Sequence, residues 1–325
     1  MRHLPLLMLA AAPASIALPA AAQDLTVYTY DSFISEWGPG PEIERRFEAA
    51  CDCDLAFVAA GDGAALLSRL QLEGEGSDAD VVLGLDNGTM ARARATGLFA
   101  PHGVEGARLD LPVEWSDDTF LPYDWGHLAF VHRADTVPPA SLAELAGSDL
   151  RVVLQDPRSS TPGLGLALWV DAVAEDPAAT WAALADNVVT VTKGWSEAYG
   201  LFLEGEADMV LSYRTSPAYH AIAEEDDGFA AAQFEEGNWL QVEVAARLAG
   251  SDAPDLAQQF LSFMVSESFQ DVIPQTNWMH PAIALEGGLP EAFGDAYAPE
   301  ATLYGEPGED EARAAIDAFL TGLAR

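Results

Sequence analysis

VVTVTKGWSEAYGLFLEGEADMVLSYRTSPAYH, residues 188–220, is the stretch whose reading decides the fold. VVTVT and DMVLS are short, apolar and rich in β-branched residues, the pattern of buried parallel strands. SEAYGLFLEGE between them has helical spacing and a glycine stop. The segment is therefore a βαβ unit. Trp195 follows the first strand, Tyr213 closes the second, and Tyr219 lies in the first turn of the helix that Pro217 starts. All three rings stand at carboxyl ends of strands, the edge of an open α/β sheet where loops and helix N-termini converge and ligands bind. They form one wall of an aromatic cleft.

Upstream, the same alternation repeats. LTVYTY, residues 25–30, is a first strand, followed by a Gly-Pro-Gly-Pro turn at residues 38–41. PEIERRFEAA is then a helix with Pro41 in its first turn and Ile43 and Phe47 four apart. CDLAFVAA returns as a strand, AALLSRLQLEG is helical, and ADVVLGLDN is a third strand. This predicts a doubly wound α/β sheet. Tyr30 closes the first strand, where it can show its hydroxyl to the cleft. Asp62 suits either helix capping or ligand contact, and Asp86 and Asn87 suit capping.

LPYDWGHLAFV, residues 121–131, and LQVEVAARLAG, residues 240–250, are candidate crossover strands that would form a hinge. The expected division is a first lobe of residues 23–124 and 242–283, a second lobe of 125–241, and a C-terminal segment, 284–325, packing on the second. In RVVLQDPRSSTPGLGL, Ser160 or Thr161 can cap a helix with Pro162 in its first turn, and that helix end suits an anion. The Lys-Ser/Thr ending of a P-loop is absent, which disfavours an ATPase. APDLAQQFLSFMVSESFQDVI reads as one long amphipathic helical stretch. Trp278 follows it in a loop held between Pro274 and Pro281, and the chain ends in a plain amphipathic helix.

The first residues, MRHLPLLMLAAAPASIALPAAAQD, have the form of a secretory signal peptide, with cleavage expected after Ala22. Fifty-two acidic residues against 15 Lys and Arg give a formal charge of −37. That disfavours nucleic acid and anionic lipid as partners, since both need cationic surface. Cys51 and Cys53 are the cysteines: too few for a zinc site, and compatible with either a local disulfide, given a bend, or two free thiols.

Rings on both sides of a cleft, a carboxylate and a helix N-terminus suit a flat aromatic cation with an anionic tail. Each aromatic face is worth about 0.5–2 kcal/mol to a cation in a partly dry site. LTVYTYDSF, WGPGP, ADVVLGLDN, QDPRSSTPGLGL, VTVTKGWSEAYGLFL, LSYRTSPAYH, LQVEVAAR and NWMHP, in that order over nearly the whole mature chain, resemble the periplasmic thiamine-binding proteins of thiamine ABC importers. The resemblance implies a two-lobed type II periplasmic-binding-protein fold closing on thiamine, thiamine monophosphate or thiamine diphosphate. Delivery would be to an inner-membrane permease with its cytoplasmic ATPase. It carries over Tyr30, Asp62, Trp195, Tyr213, Tyr219 and Trp278, with Asn277, as contacts to the rings, and Ser160 and Thr161 as phosphate contacts. A periplasmic monomer without cofactor, metal or catalytic residue is expected.

Three other readings compete. An iron(III) site would use tyrosinates, usually adjacent in sequence, whereas Tyr213 and Tyr219 are separated by a turn and tryptophans offer iron nothing. A polyamine receptor would use the rings and Asp62 but leave the anion site idle. A thiaminase-like enzyme would need a cysteine nucleophile, and Cys51 and Cys53 precede a strand with no evident base beside them.

Overall fold

Strands and helices alternate over most of the chain in a computed structural model that describes residues 24–294, 299 and 301–324. The expected leader, residues 1–22, lies outside the described residues. The chain begins β1 (Asp24–Thr29), α1 (Gly40–Cys51), β2 (Asp54–Ala59), α2 (Gly63–Glu73), β3 (Val81–Asp86), α3 (Met90–Ala95) and β4 (Phe99–Ala100). The long strand β5 (Leu121–Arg133) leads to α4 (Leu142–Ala146), β6 (Val152–Gln155), α5 (Thr161–Val173), α6 (Pro177–Leu184) and β7 (Val188–Thr192). Next come α7 (Trp195–Leu203), β8 (Met209–Tyr213), α8 (Ser216–Ala223) and β9 (Phe229–Ala231). A second long strand, β10 (Asn238–Leu248), returns to α9 (Pro254–Met264), α10 (Glu267–Gln270), α11 (Ile273–Thr276), β11 (His280–Pro281), β12 (Thr302–Leu303) and α12 (Glu309–Leu323).

The main strand order is β2-β1-β3-β10-β5-β8-β6-β7. β1 runs parallel to β2 and β3, and β6 runs parallel to β7 and β8. Between these two parallel groups stand β10 and β5, antiparallel to each other and to their outer neighbours β3 and β8. The fold is thus mixed α/β with two halves joined through two long strands. In the decisive βαβ unit, β7 and β8 do not pair with each other but flank β6.

Two expectations are corrected here. β7 is not a buried strand: it ends the order, has one free edge, and leaves Val189 47 % exposed. The stretch after β10 is not one helix. The Ser266 hydroxyl donates to the Phe263 carbonyl at 2.6 Å, and Ser266 itself is extended (ψ 156°), so α9 stops at Met264 and two single-turn helices follow. A serine that binds its own preceding turn competes with the helix ladder in this way.

Each half has its own core. In the first, Ile43 and Phe47 of α1 are buried as their spacing predicts, and the Phe47 ring meets Phe260 edge-on at 5.0 Å. In the second, α5 is buried along Thr161–Val170, as expected for a helix apolar on all sides. α12 lies against α5 and α6, where Phe319 meets the fully buried Trp181 at 4.7 Å. Cys51 and Cys53 are joined in a disulfide with their Cα atoms 5.2 Å apart. Asp52 between them, at φ 55°, supplies the bend.

Candidate functional site

A cavity of ≈ 580 Å³ opens between the two halves at the carboxyl ends of the parallel strands. Tyr30 follows β1, Asp62 precedes α2, Thr161 begins α5, Trp195 begins α7, Tyr213 ends β8 and Tyr219 lies in α8. All six line it, together with Asn277 and Trp278 from the loop after α11. Ser160 is the expected residue that does not. It is fully buried as the N-cap of α5, accepting the Gly163 N–H at 3.3 Å, and it also hydrogen-bonds the Asp62 carboxyl.

Asp62 ties the halves together. Its Oδ1 accepts the Gly63 N–H at 2.6 Å, capping α2, and the Thr161 hydroxyl at 3.4 Å. Its Oδ2 accepts the Trp195 N–H at 3.2 Å. Three helix N-termini thus meet one carboxyl group, so capping and cavity lining are the same role. Burial raises its pKa, and the N–H groups of Gly63, Trp195 and Thr161 with the Ser160 hydroxyl oppose the rise. A backbone bond from Ala65 N–H to the Ser159 carbonyl, 2.9 Å, closes the same seam.

The rings are fixed from behind. Trp195 donates its Nε1–H to Ser212 at 2.8 Å and stacks on Tyr199 at 4.9 Å and 23°. Tyr199 shares a 2.9 Å hydrogen bond with the buried His220, whose Nδ1 lies 2.6 Å from Glu224. The Tyr219 hydroxyl donates to the same carboxylate at 2.8 Å. Across the cleft, Trp278 meets Tyr219 at 5.3 Å and 66°, and Trp37 meets Trp195 at 6.3 Å. Trp278 holds φ 56°, a left-handed backbone rare for a bulky residue, and its N–H is tied to the Ile273 carbonyl at 3.0 Å. Such a conformation persists where surroundings enforce it, here in a loop bounded by Pro274 and Pro281.

Beneath the rings lies a polar layer that sequence reasoning missed. Glu243 of β10 lines the cavity and accepts the Tyr30 hydroxyl at 3.0 Å, the Tyr123 hydroxyl, and the Gln241 amide at 3.1 Å. The Asn277 amide donates to Tyr30 at 3.0 Å and to Asp124 at 2.6 Å. Burial and the neighbouring carboxyl groups push the Tyr30, Tyr123 and Tyr213 hydroxyls well above their ordinary range, so they serve as neutral donors. Among the described residues no cluster of His, Cys, Asp and Glu is arranged for a metal ion. Asp86 and Asn87 do not line the cavity. Asp86 accepts the Thr89 hydroxyl at 2.8 Å, and Asn87 is tied to β10. Also unforeseen were Trp37 at the mouth, 53 % exposed, and Lys193 on the lining, the one lysine in the sequence.

A cleft between two α/β halves joined by paired long strands, with rings and acids supplied from both sides, defines a solute-binding protein. The chain belongs to the bacterial extracellular solute-binding protein family, whose profile matches residues 31–271. Within it, the chain is similar to thiamine-binding periplasmic proteins. The one from Escherichia coli (strain K12) is 54% identical over 311 residues, covering 94% of this chain and 93% of that protein. The one from Salmonella typhimurium is 54% identical over 307 residues, covering 93% and 92%. A solved periplasmic thiamin binding protein matches the fold with TM-score 0.89 and 51% identity, covering 94% of this chain and 97% of that one.

Proposed function

We propose that this protein captures thiamine and its mono- and diphosphate in the periplasm and delivers them to the permease of an ABC importer. The observation that carries the reading is one cavity lined by the rings of Trp37, Trp195, Tyr219 and Trp278 together with the Asp62 carboxyl group. A flat cation can lie against such ring faces, and the carboxyl group offsets its charge. β5 and β10 would act as the hinge, dividing residues 23–124 and 242–283 from 125–241. Export through the N-terminal leader and a monomer without cofactor belong to the same reading. So does binding without catalysis: Cys51 and Cys53 are bonded to each other and lie away from the cavity lining, which leaves no thiol to attack a ligand.

Saturable quenching of tryptophan emission by thiamine tests the reading. Trp195→Ala and Tyr219→Ala should each weaken binding by about 10- to 100-fold, the usual scale for truncating a central aromatic anchor, with far-ultraviolet circular dichroism unchanged. Unaltered affinity in both variants would remove these rings from the site.

The phosphate tail is assigned to the rim where Thr161 begins α5 and Lys193 precedes α7. Thr161 also bonds Asp62, so Lys193 is the cleaner test. Lys193→Gln should weaken the diphosphate by about 3- to 10-fold and leave thiamine itself nearly unaffected, as for loss of one partly exposed charge contact. Equal losses for both ligands would move the tail elsewhere.

A further inference from the structure

Two carboxyl groups meet on the two central strands. Asp124 of β5 and Glu243 of β10 are register partners, 0 % and 5 % exposed, and Glu243 is also in register with Asp86 of β3. Glu243 accepts the hydroxyls of Tyr30 and Tyr123 and the amide of Gln241. Asp124 accepts the Asn277 amide on Oδ2 and stands within hydrogen-bonding reach of Glu243, a carboxyl-to-carboxyl contact that needs a proton on one of the two. The titratable groups facing the pair are Tyr30 after β1, Tyr123 on β5, Asp86 on β3, Tyr213 on β8 and Asp62 before α2. Among the described residues the strongest influences on both carboxyls are acidic or neutral groups.

Two neighbouring buried carboxylates without a cation repel strongly, and a proton held between them removes the conflict. Burial pushes Glu243 up to about 7 and raises Asp124 as well. A fixed positive charge over Glu243 reverses the balance, since an opposite charge within hydrogen-bonding range lowers a carboxyl group by about 1–3 units.

We propose that the Asp124–Glu243 pair holds one proton in the ligand-free protein and releases it to solvent when a cationic ring settles over Glu243, making capture and proton release one event. The proposal rests on the thiamine reading, because the thiazolium charge is permanent and neither supplies nor takes up the proton. The balance is simple: a carboxylic acid beside a carboxylate, plus the cation, becomes two carboxylates with the cation bound, and one proton passes to water. Glu243 is then a ligand-facing residue that selects for positive charge.

Calorimetric titration with thiamine at pH 6.5, in phosphate, MES and imidazole buffers, reads the proton count as the slope of observed heat against buffer ionisation heat. Unphosphorylated thiamine is used because a phosphate titrates near neutral pH itself. The expected release is about 0.5–0.8 proton per thiamine, falling at pH 9 where Glu243 is already ionised before the ligand arrives. Glu243→Gln should abolish the slope. Should that variant fail to fold, Asp124→Asn and the wild-type comparison of pH 6.5 with pH 9 make the same test. Tight binding with heats independent of buffer overturns the proposal alone. So does a slope unchanged in Glu243→Gln, or one undiminished at pH 9. Absence of binding heat overturns the thiamine reading, and the proposal with it.

Discussion

Replacing Asp62 with alanine is expected to weaken thiamine binding by about 100- to 1,000-fold, the scale for deleting one member of a desolvated charge pair. The effect has two sources. The carboxyl group is one of the acids on the ring-lined cavity, and it also joins α2, α5 and α7 through the Gly63 N–H, the Thr161 hydroxyl and the Trp195 N–H. Its removal takes away the counter-charge and unpins the seam between the halves. Asp62→Asn retains the shape and a carbonyl acceptor, so it should fall between wild type and alanine. Stability should drop by only about 1 kcal/mol, the usual loss of a helix cap. Dissociation constants for the three proteins decide the matter. An alanine variant that binds within about threefold of wild type would mean that the carboxyl group serves structure alone, because a lost cap accounts for stability and not affinity.

The second large effect is expected at a residue with no side chain. Gly84 lies in β3 at φ 108°, and the Tyr30 ring occupies the space beside it. A methyl group there would come within 2.3 Å of Tyr30 Cδ1. Gly84→Ala must therefore strain the backbone and displace the ring that donates to Glu243. Overpacking and an unfavourable backbone region each contribute about 1–3 kcal/mol, so a loss of about 2–6 kcal/mol in unfolding free energy is expected. Thiamine affinity should fall with it. A denaturant titration reads the first as a lower midpoint at unchanged slope. A wild-type midpoint would show that β3 and Tyr30 can move apart freely.

Much of the α/β architecture could be read from the sequence because short apolar runs alternate with helical spacing, and proline and glycine punctuate them. The rings of Trp195, Tyr213, Tyr219 and Trp278 were legible as cavity residues because strand ends and a proline-bounded loop carry side chains to the ligand-facing edge. What escaped depends on pairing between distant segments. β7 looked like a core strand because its residues are β-branched, and only the strand order leaves it at an edge. Ser160 and Thr161 are adjacent and equally polar, yet one turns inward as a cap and the other lines the cavity.

Glu243 and Asp124 had a local signal, a single acid inside each apolar string LQVEVAAR and LPYDWGHL. Their meaning comes from the register that sets them side by side on β10 and β5. Lys193 had one too, since a lone lysine in so acidic a chain stands out once counted. The disulfide waited on the backbone of Asp52, whose left-handed turn brings Cys51 and Cys53 within reach.

The central claim is that the cavity between the halves binds thiamine. Calorimetric titration of the mature protein, unfolded and refolded to strip any carried ligand, with thiamine and its mono- and diphosphate tests it most directly. Tight one-to-one binding of thiamine is the predicted result. No heat from any of the three, with the refolded protein shown to be native, would contradict it.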